Sequence, residues 1–179
     1  MFQELGKVGL IYGSDTGATE DVTRLFESFI GEDLEIIEVS EAEVEDFKRF
    51  DVLILGISTW YDGDLQSDWE DYFETFKTID FTDQVVALFG LGDQHGYAEY
   101  FIDGVGYLAE VVLANGGTII GEWPTQDYEH AESKAEKNDD MFYGLALDED
   151  NEPILTEDRI LVWLDQLKGE YQNLHIAQG

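Results

Sequence analysis

The 179-residue chain contains no cysteine, two prolines and only nine lysines and arginines. Without cysteine there is no disulfide, no thiol catalysis and no thiolate metal centre, a composition that suits a reducing compartment. Nine basic residues against 41 acidic ones give a net charge of −32 at pH 7. Nucleic acid and anionic membrane both require a dense positive patch, so neither is an expected partner. No apolar run is long enough to span a bilayer, and Met1-Phe2-Gln3-Glu4 lacks the basic flank and apolar stretch of a signal peptide. The expectation is a cytoplasmic protein folded as one domain over residues 1–179. With 44% hydrophobic and 13% aromatic residues, the chain is no disordered acidic tail. Its acidic surface favours solubility and attracts basic partners, although adaptation to salt would give the same composition.

Apolar runs alternate with helical patterns along the whole chain. Val8–Tyr12, Leu34–Val39, Val52–Ile57, Val85–Phe89 and Thr118–Gly121 read as strands. Helical spacing covers Thr19–Ile30, Tyr100–Asn115 (stopped by Gly116-Gly117) and a last stretch from Thr156 to about Tyr171. A short acidic helix is expected near Glu41–Phe50. Strands without polar alternation are buried on both faces, which implies an α/β doubly wound parallel sheet covered by helices. In such sheets, ligands sit beyond the carboxyl ends of the strands. The segment between Trp123 and Asn151, with a polar insert from about Gln126 to Phe142, is too long for a simple connection and reads as a hairpin or protruding loop.

Three segments fall at those strand ends. Gly13-Ser14-Asp15-Thr16-Gly17-Ala18-Thr19 joins the first strand to a helix, and its hydroxyls and free amides would make a neutral phosphate cradle. Taken alone it reads first as an ordinary helix cap, and the two later loops reverse that. The third strand ends in Ser58-Thr59-Trp60-Tyr61-Asp62-Gly63, and the fourth in Gly90-Leu91-Gly92-Asp93-Gln94-His95-Gly96-Tyr97. Aromatic side chains beside a phosphate turn suit a flat aromatic ligand carrying one phosphate, with Trp60 and Tyr97 as stacking partners.

Together with Asp68-Trp69-Glu70 and Tyr97-Ala98-Glu99-Tyr100-Phe101, these segments resemble the flavodoxin family. Gly144-Leu145-Ala146-Leu147-Asp148 after the long polar stretch is similar to its long-chain subgroup. The resemblance implies a five-stranded parallel sheet in order 2-1-3-4-5, its fifth strand interrupted by an insert. It also implies noncovalently bound FMN as cofactor, with Ser14, Asp15, Thr16, Gly17, Ala18 and Thr19 at the phosphate. Ser58, Thr59, Trp60, Tyr61, Asp62, Gly63, Leu91, Gly92, Asp93 and Tyr97 would surround the isoalloxazine ring. Ser58 stands where the family often has proline, and Ala18 and Asp15 leave the phosphate turn without a cation.

The activity so implied is that of a low-potential one-electron carrier, shuttling FMN between semiquinone and hydroquinone. Its partners would be basic-faced redox enzymes, such as a flavodoxin/ferredoxin-NADP reductase, and low-potential acceptors, met as a monomer. The peptide between Tyr61 and Asp62 is expected to change orientation with redox state, and the insert to serve partner recognition. An FMN-dependent NAD(P)H:quinone oxidoreductase on the same fold is the alternative. A receiver domain fits poorly, because Ser14-Asp15-Thr16 offers no cluster of acids and Trp123-Pro124 no lysine. Gly90, Gly92 and Gly96 are spaced one residue too long for a dinucleotide fingerprint, and no triphosphate loop is present. Asp148–Glu152 matches a calcium loop only in acidity, since Pro153 and Arg159 occupy its glycine and glutamate positions, so it reads as a solvated turn. His95, His130 and His175 have no metal-ligand spacing, and His95 is expected at the surface.

Overall fold

A computed structural model describes residues 2–178. Five segments form the parallel sheet: β1 (Val8–Tyr12), β2 (Leu34–Glu38), β3 (Val52–Trp60), then, after a short β4 (Asp64–Leu65), β5 (Val85–Leu91), and finally an edge strand in two pieces. Those pieces are β6 (Thr118–Ile120) and β10 (Leu145–Leu147). Both pair in parallel with β5, at Val85–Ala87 and at Phe89–Leu91 respectively. The order across the sheet is therefore β2-β1-β3-β5 and then the split edge. Between the two pieces lies a separate antiparallel sheet of β7 (Trp123–Pro124), β8 (Glu136–Asn138) and β9 (Met141–Phe142).

Helices α1 (Ala18–Ile30) and α4 (Thr156–Gln178) belong to one packed layer, and α2 (Ser67–Phe76) and α3 (Asp103–Ala114) to the other. Val22 and Phe26, one helical turn apart, give α1 its buried stripe. Phe26 meets Phe89 at 5.0 Å and Trp163 at 6.0 Å between ring centroids. In the other layer Phe47 lies against Trp69, Phe76 and Phe81. Both buried indoles find backbone acceptors: Trp69 Nε1 donates to Gly56 O, and Trp163 Nε1 to Gly121 O. Tryptophan needs such a partner to be buried without penalty.

Several elements differ from the sequence expectation. The acidic stretch Glu41–Phe50 is not an α-helix. It holds a 3-10 turn at Val44–Phe47, preceded by another at Val39–Glu41; within Val44–Phe47 only Phe47 is fully buried, with Val44 packed partly against the same core. β3 continues past Ile57 to Trp60, since β4 returns antiparallel and pairs Thr59 with Leu65 and Trp60 with Asp64. α3 begins at Asp103, because residues 97–102 form turns instead of helix. α4 runs beyond Tyr171 to Gln178, and α2 lies where no helix was expected. The register places the carboxyl ends of β1, β3, β5 and β10 along one edge of the sheet.

Candidate functional site

β1 ends at Tyr12 and α1 begins at Ala18, so Gly13–Gly17 carries the chain from sheet to helix. Gly17 stands at φ 88°, and its amide donates to Ser14 Oγ at 2.9 Å. No side chain caps α1, which leaves its first-turn amides available to an anion. Thr16 and Ala18 line the cleft beside the turn, while Thr19 is buried. Asp15 is engaged elsewhere. Its carboxylate accepts from Gln66 Nε2 at 2.9 Å and Ser67 Oγ at 2.5 Å, tying the turn to the start of α2. Burial pushes the Asp15 carboxyl up, but the donors on Ser67 and Gln66 outweigh it and hold it below the usual aspartate range.

The cleft has a volume of about 250 Å³. The end of β3 supplies Ser58, Thr59 and Trp60, followed by Tyr61; the end of β5 supplies Leu91, then Gly92, Asp93 and Tyr97. The indole Nε1 of Trp60 is buried without a hydrogen-bond partner, a donor the protein itself leaves unsatisfied. Tyr61 and Tyr97 are 63% and 42% exposed, so two aromatic rings at this mouth are not core residues. Tyr61 meets Tyr97 edge to face at 6.4 Å and Trp60 at 6.2 Å.

Trp60–Gly63 is a tight turn closed by the Gly63 amide on Trp60 O at 3.1 Å. Tyr61 is held there at φ 46°, in a region that costs a non-glycine residue about 1–3 kcal/mol. Gly63 stands at φ 93°, and a Cβ on it would lie 2.9 Å from Asp103 Oδ2, so both the turn and its packing exclude a side chain. Ser14, Asp15, Gly17, Thr19, Asp62 and Gly63 lie outside the cleft wall itself.

Two lining residues were missed by the sequence reading. Glu149 and Asp150 complete the wall, from the segment taken as a solvated turn. The signal was available: Leu145-Ala146-Leu147 is a buried strand, so the loop after it must open on the same sheet edge as the others. This acidic turn is braced from inside. Asp148 is fully buried and accepts from Gln94 Nε2 at 2.7 Å, and the same amide reaches Glu152 at 2.6 Å. Asn151 Nδ2 bridges Asp148 and Asp93. Burial, and then the charges of Asp93 and Asp148, raise the Asp150 carboxyl. Asp93 goes the other way: burial raises it, but the Gly96 amide, Asn151 and the His95 amide together bring it below the usual range.

The insert is remote from these loops in sequence but not in space. The Glu129 amide donates to Gln94 Oε1 at 2.8 Å, and the amides of Ala131 and Glu132 to Ala98 O. Residues 129–134 thus run along the Tyr97 loop. His95 is half exposed, as expected, 3.8 Å from Glu129. His130 instead is buried between Phe101 and Phe142, with Nε2 2.5 Å from Glu136 Oε1. Among the described residues no group of side chains is arranged to hold a metal ion, and no helix is long and apolar enough to cross a membrane.

A doubly wound α/β domain with an uncapped helix start, an unsatisfied indole donor and aromatics at one cleft defines a binder of flat, phosphorylated aromatic ligands. Comparison with known proteins narrows that class. The flavodoxin family model matches residues 10–163. Flavodoxin 1 of Escherichia coli strain K12 is 44% identical over 171 residues, 95% of this chain and 96% of that protein. The flavodoxin of Picosynechococcus is 46% identical over 166 residues, 92% and 97% of the two chains. The crystal structure of Fusobacterium nucleatum flavodoxin bound to flavin mononucleotide superposes with a TM-score of 0.85 at 34% identity, covering 91% of this chain and 97% of that one. The chain belongs to the flavodoxin family. Flavodoxins are electron-transfer proteins rather than enzymes, so the quinone-reductase alternative falls away.

Proposed function

We propose that the cleft binds FMN noncovalently and that the protein carries single electrons between redox enzymes. The observation that carries this reading is the pairing of open α1 amides with the aromatic side chains of Trp60, Tyr61 and Tyr97 at one cleft, donors for a phosphate beside surfaces for a flat ring. Thr16, Thr19 and the surrounding amides would hold the phosphate without a cation, and Trp60 and Tyr97 would flank the ring. Bound flavin supplies the one-electron chemistry; the protein sets its electronics through the groups around it. The strained Tyr61 backbone supports a turn with two orientations of the Tyr61–Asp62 peptide, one of which points a carbonyl at the cofactor.

The split edge strand supports membership of the long-chain subgroup. The −32 charge supports basic-faced partners such as a flavodoxin/ferredoxin-NADP reductase, met by a monomer in the cytoplasm. Titrating apoprotein with FMN should quench flavin fluorescence to a one-to-one endpoint. The loaded protein should accept electrons from such a reductase and show no steady-state oxidation of NADPH by quinones on its own. Unquenched fluorescence, or quinone turnover, would overturn this reading.

A further inference from the structure

Asp103 is a carboxylic acid 1% exposed to solvent that lines no part of the cleft. It opens α3 directly after Ile102, a buried β-branched residue held at φ 46°, a costly backbone for such a side chain. With the chain so turned, the Gly104 amide donates to Thr59 Oγ1 at 2.9 Å, joining the start of α3 to the end of β3. One oxygen of Asp103 accepts the Lys134 amide of the insert at 2.8 Å. The other lies against Gly63, where a Cβ would come within 2.9 Å of it. Gly106 completes the arrangement from α3: a Cβ there would be 2.2 Å from the Lys134 carbonyl, so only glycine lets the insert close this far. The insert, the start of α3 and the turn Trp60–Gly63 therefore meet at one buried carboxyl group.

We propose that Asp103 is a positioning residue that locks the turn Trp60–Gly63 to the insert, so that the seating of the insert sets the conformation of that turn. The inference rests on the reading of this turn as part of the cofactor cleft. Asp103 does not line the cleft; it acts through Gly63. Burial raises its carboxyl, and the Lys134 amide opposes that rise. A partner engaging the outer face of the insert would thereby be felt at the turn, through a single hydrogen bond and a single close contact.

The test compares Asp103→Ala, which removes both the acceptor and the contact with Gly63, with Lys134→Pro, which keeps the acid and removes the amide donated to it. Amide hydrogen exchange of the apoprotein is followed at Gly63 and at the core positions Leu55 and Val86. The expected result is exchange at Gly63 about tenfold faster in both variants, with Leu55 and Val86 unchanged. Midpoint potentials of the FMN-loaded variants should shift from the parent value. Unchanged Gly63 exchange in both variants overturns the proposal, as does equal acceleration at all three positions, which marks a merely structural acid. If one variant does not fold, the other decides by the same criteria. A parent protein that fails to take up FMN overturns the cofactor reading, while the exchange data still decide the role of Asp103.

Discussion

The two ends of the cleft are built from opposite materials. At the α1 end the turn offers hydroxyls and open amides, and its one acid, Asp15, is engaged by Gln66 and Ser67. At the other end Asp93, Glu149 and Asp150 bring carboxylates to the wall, braced from behind by Gln94 and Asn151. A single anionic group would be accepted at the first end through dipoles, without a compensating cation. At the second end any added negative charge is opposed. Two charges about 12 Å apart at an effective dielectric of about 40 repel by roughly 0.7 kcal/mol, on the order of 30 mV for one electron. Several such charges lower a potential substantially, although salt screens the exposed ones. On the proposed reading, the first end would govern affinity and the second potential.

The acidic end should be the easier to break. Gln94 is 2% exposed and its amide nitrogen serves two carboxylates, while its oxygen takes the Glu129 amide of the insert. Gln94→Leu removes one donor each from Asp148 and Glu152, which keep Asn151 and Arg159, and leaves the Glu129 amide without its acceptor; it should destabilise the apoprotein by about 2 kcal/mol, read by urea denaturation. A loss below about 1 kcal/mol would mean that the brace is dispensable. Asp15→Ala acts at the other end and should cost about 1 kcal/mol, since its hydrogen bonds are half exposed to water. The sign follows from its lowered carboxyl: the contribution is present above the unfolded-state pKa and is lost as pH falls through the folded one. Denaturation curves of parent and variant should therefore converge in acid; a constant gap would contradict the assignment.

The smallest effect is expected at Asp150. Its carboxyl is raised, so protonation on acidification begins above the ordinary aspartate range and removes one charge from the wall. Asp150→Asn should lift the midpoint potential by roughly 30 mV at neutral pH and flatten its rise on acidification. A raised acid also opposes folding once ionised, so stability linked to its protonated form is lost as pH rises through the folded pKa. The variant should accordingly be no less stable than the parent at pH 7. An unchanged potential would remove Asp150 from the electrostatics of the cleft.

The sheet was legible because Val8–Tyr12 and Val52–Ile57 carry no polar alternation, and only burial on both faces permits that. Ten cleft residues were legible for a related reason, since strand ends and their aromatics are local in sequence. Glu149 and Asp150 were not, because acidity alone does not distinguish a solvated turn from a wall. What separates the two is Gln94, 54 residues away from Asp148. The role of Asp103 was hidden in the same way: its partners lie on the insert and on the Gly63 turn, and no spacing along the chain records that meeting. The α2 helix escaped because its N-cap is Gln66, whose side chain accepts from Trp69, where Ser, Thr, Asp or Asn would have signalled a start.

The division of labour between the two ends is tested most directly by the ratio of riboflavin to FMN dissociation constants, measured by fluorescence titration in the parent and in Thr16→Ala. Riboflavin lacks only the phosphate, so the ratio isolates the α1 end from the rest of the cleft. The expected result is a parent that prefers FMN by at least about a hundredfold, the sum of two or more charge-assisted hydrogen bonds. In Thr16→Ala that ratio should fall by about tenfold while riboflavin affinity holds. Equal affinity of the parent for both ligands, or parallel losses for both in the variant, would contradict the assignment of the phosphate to the α1 end.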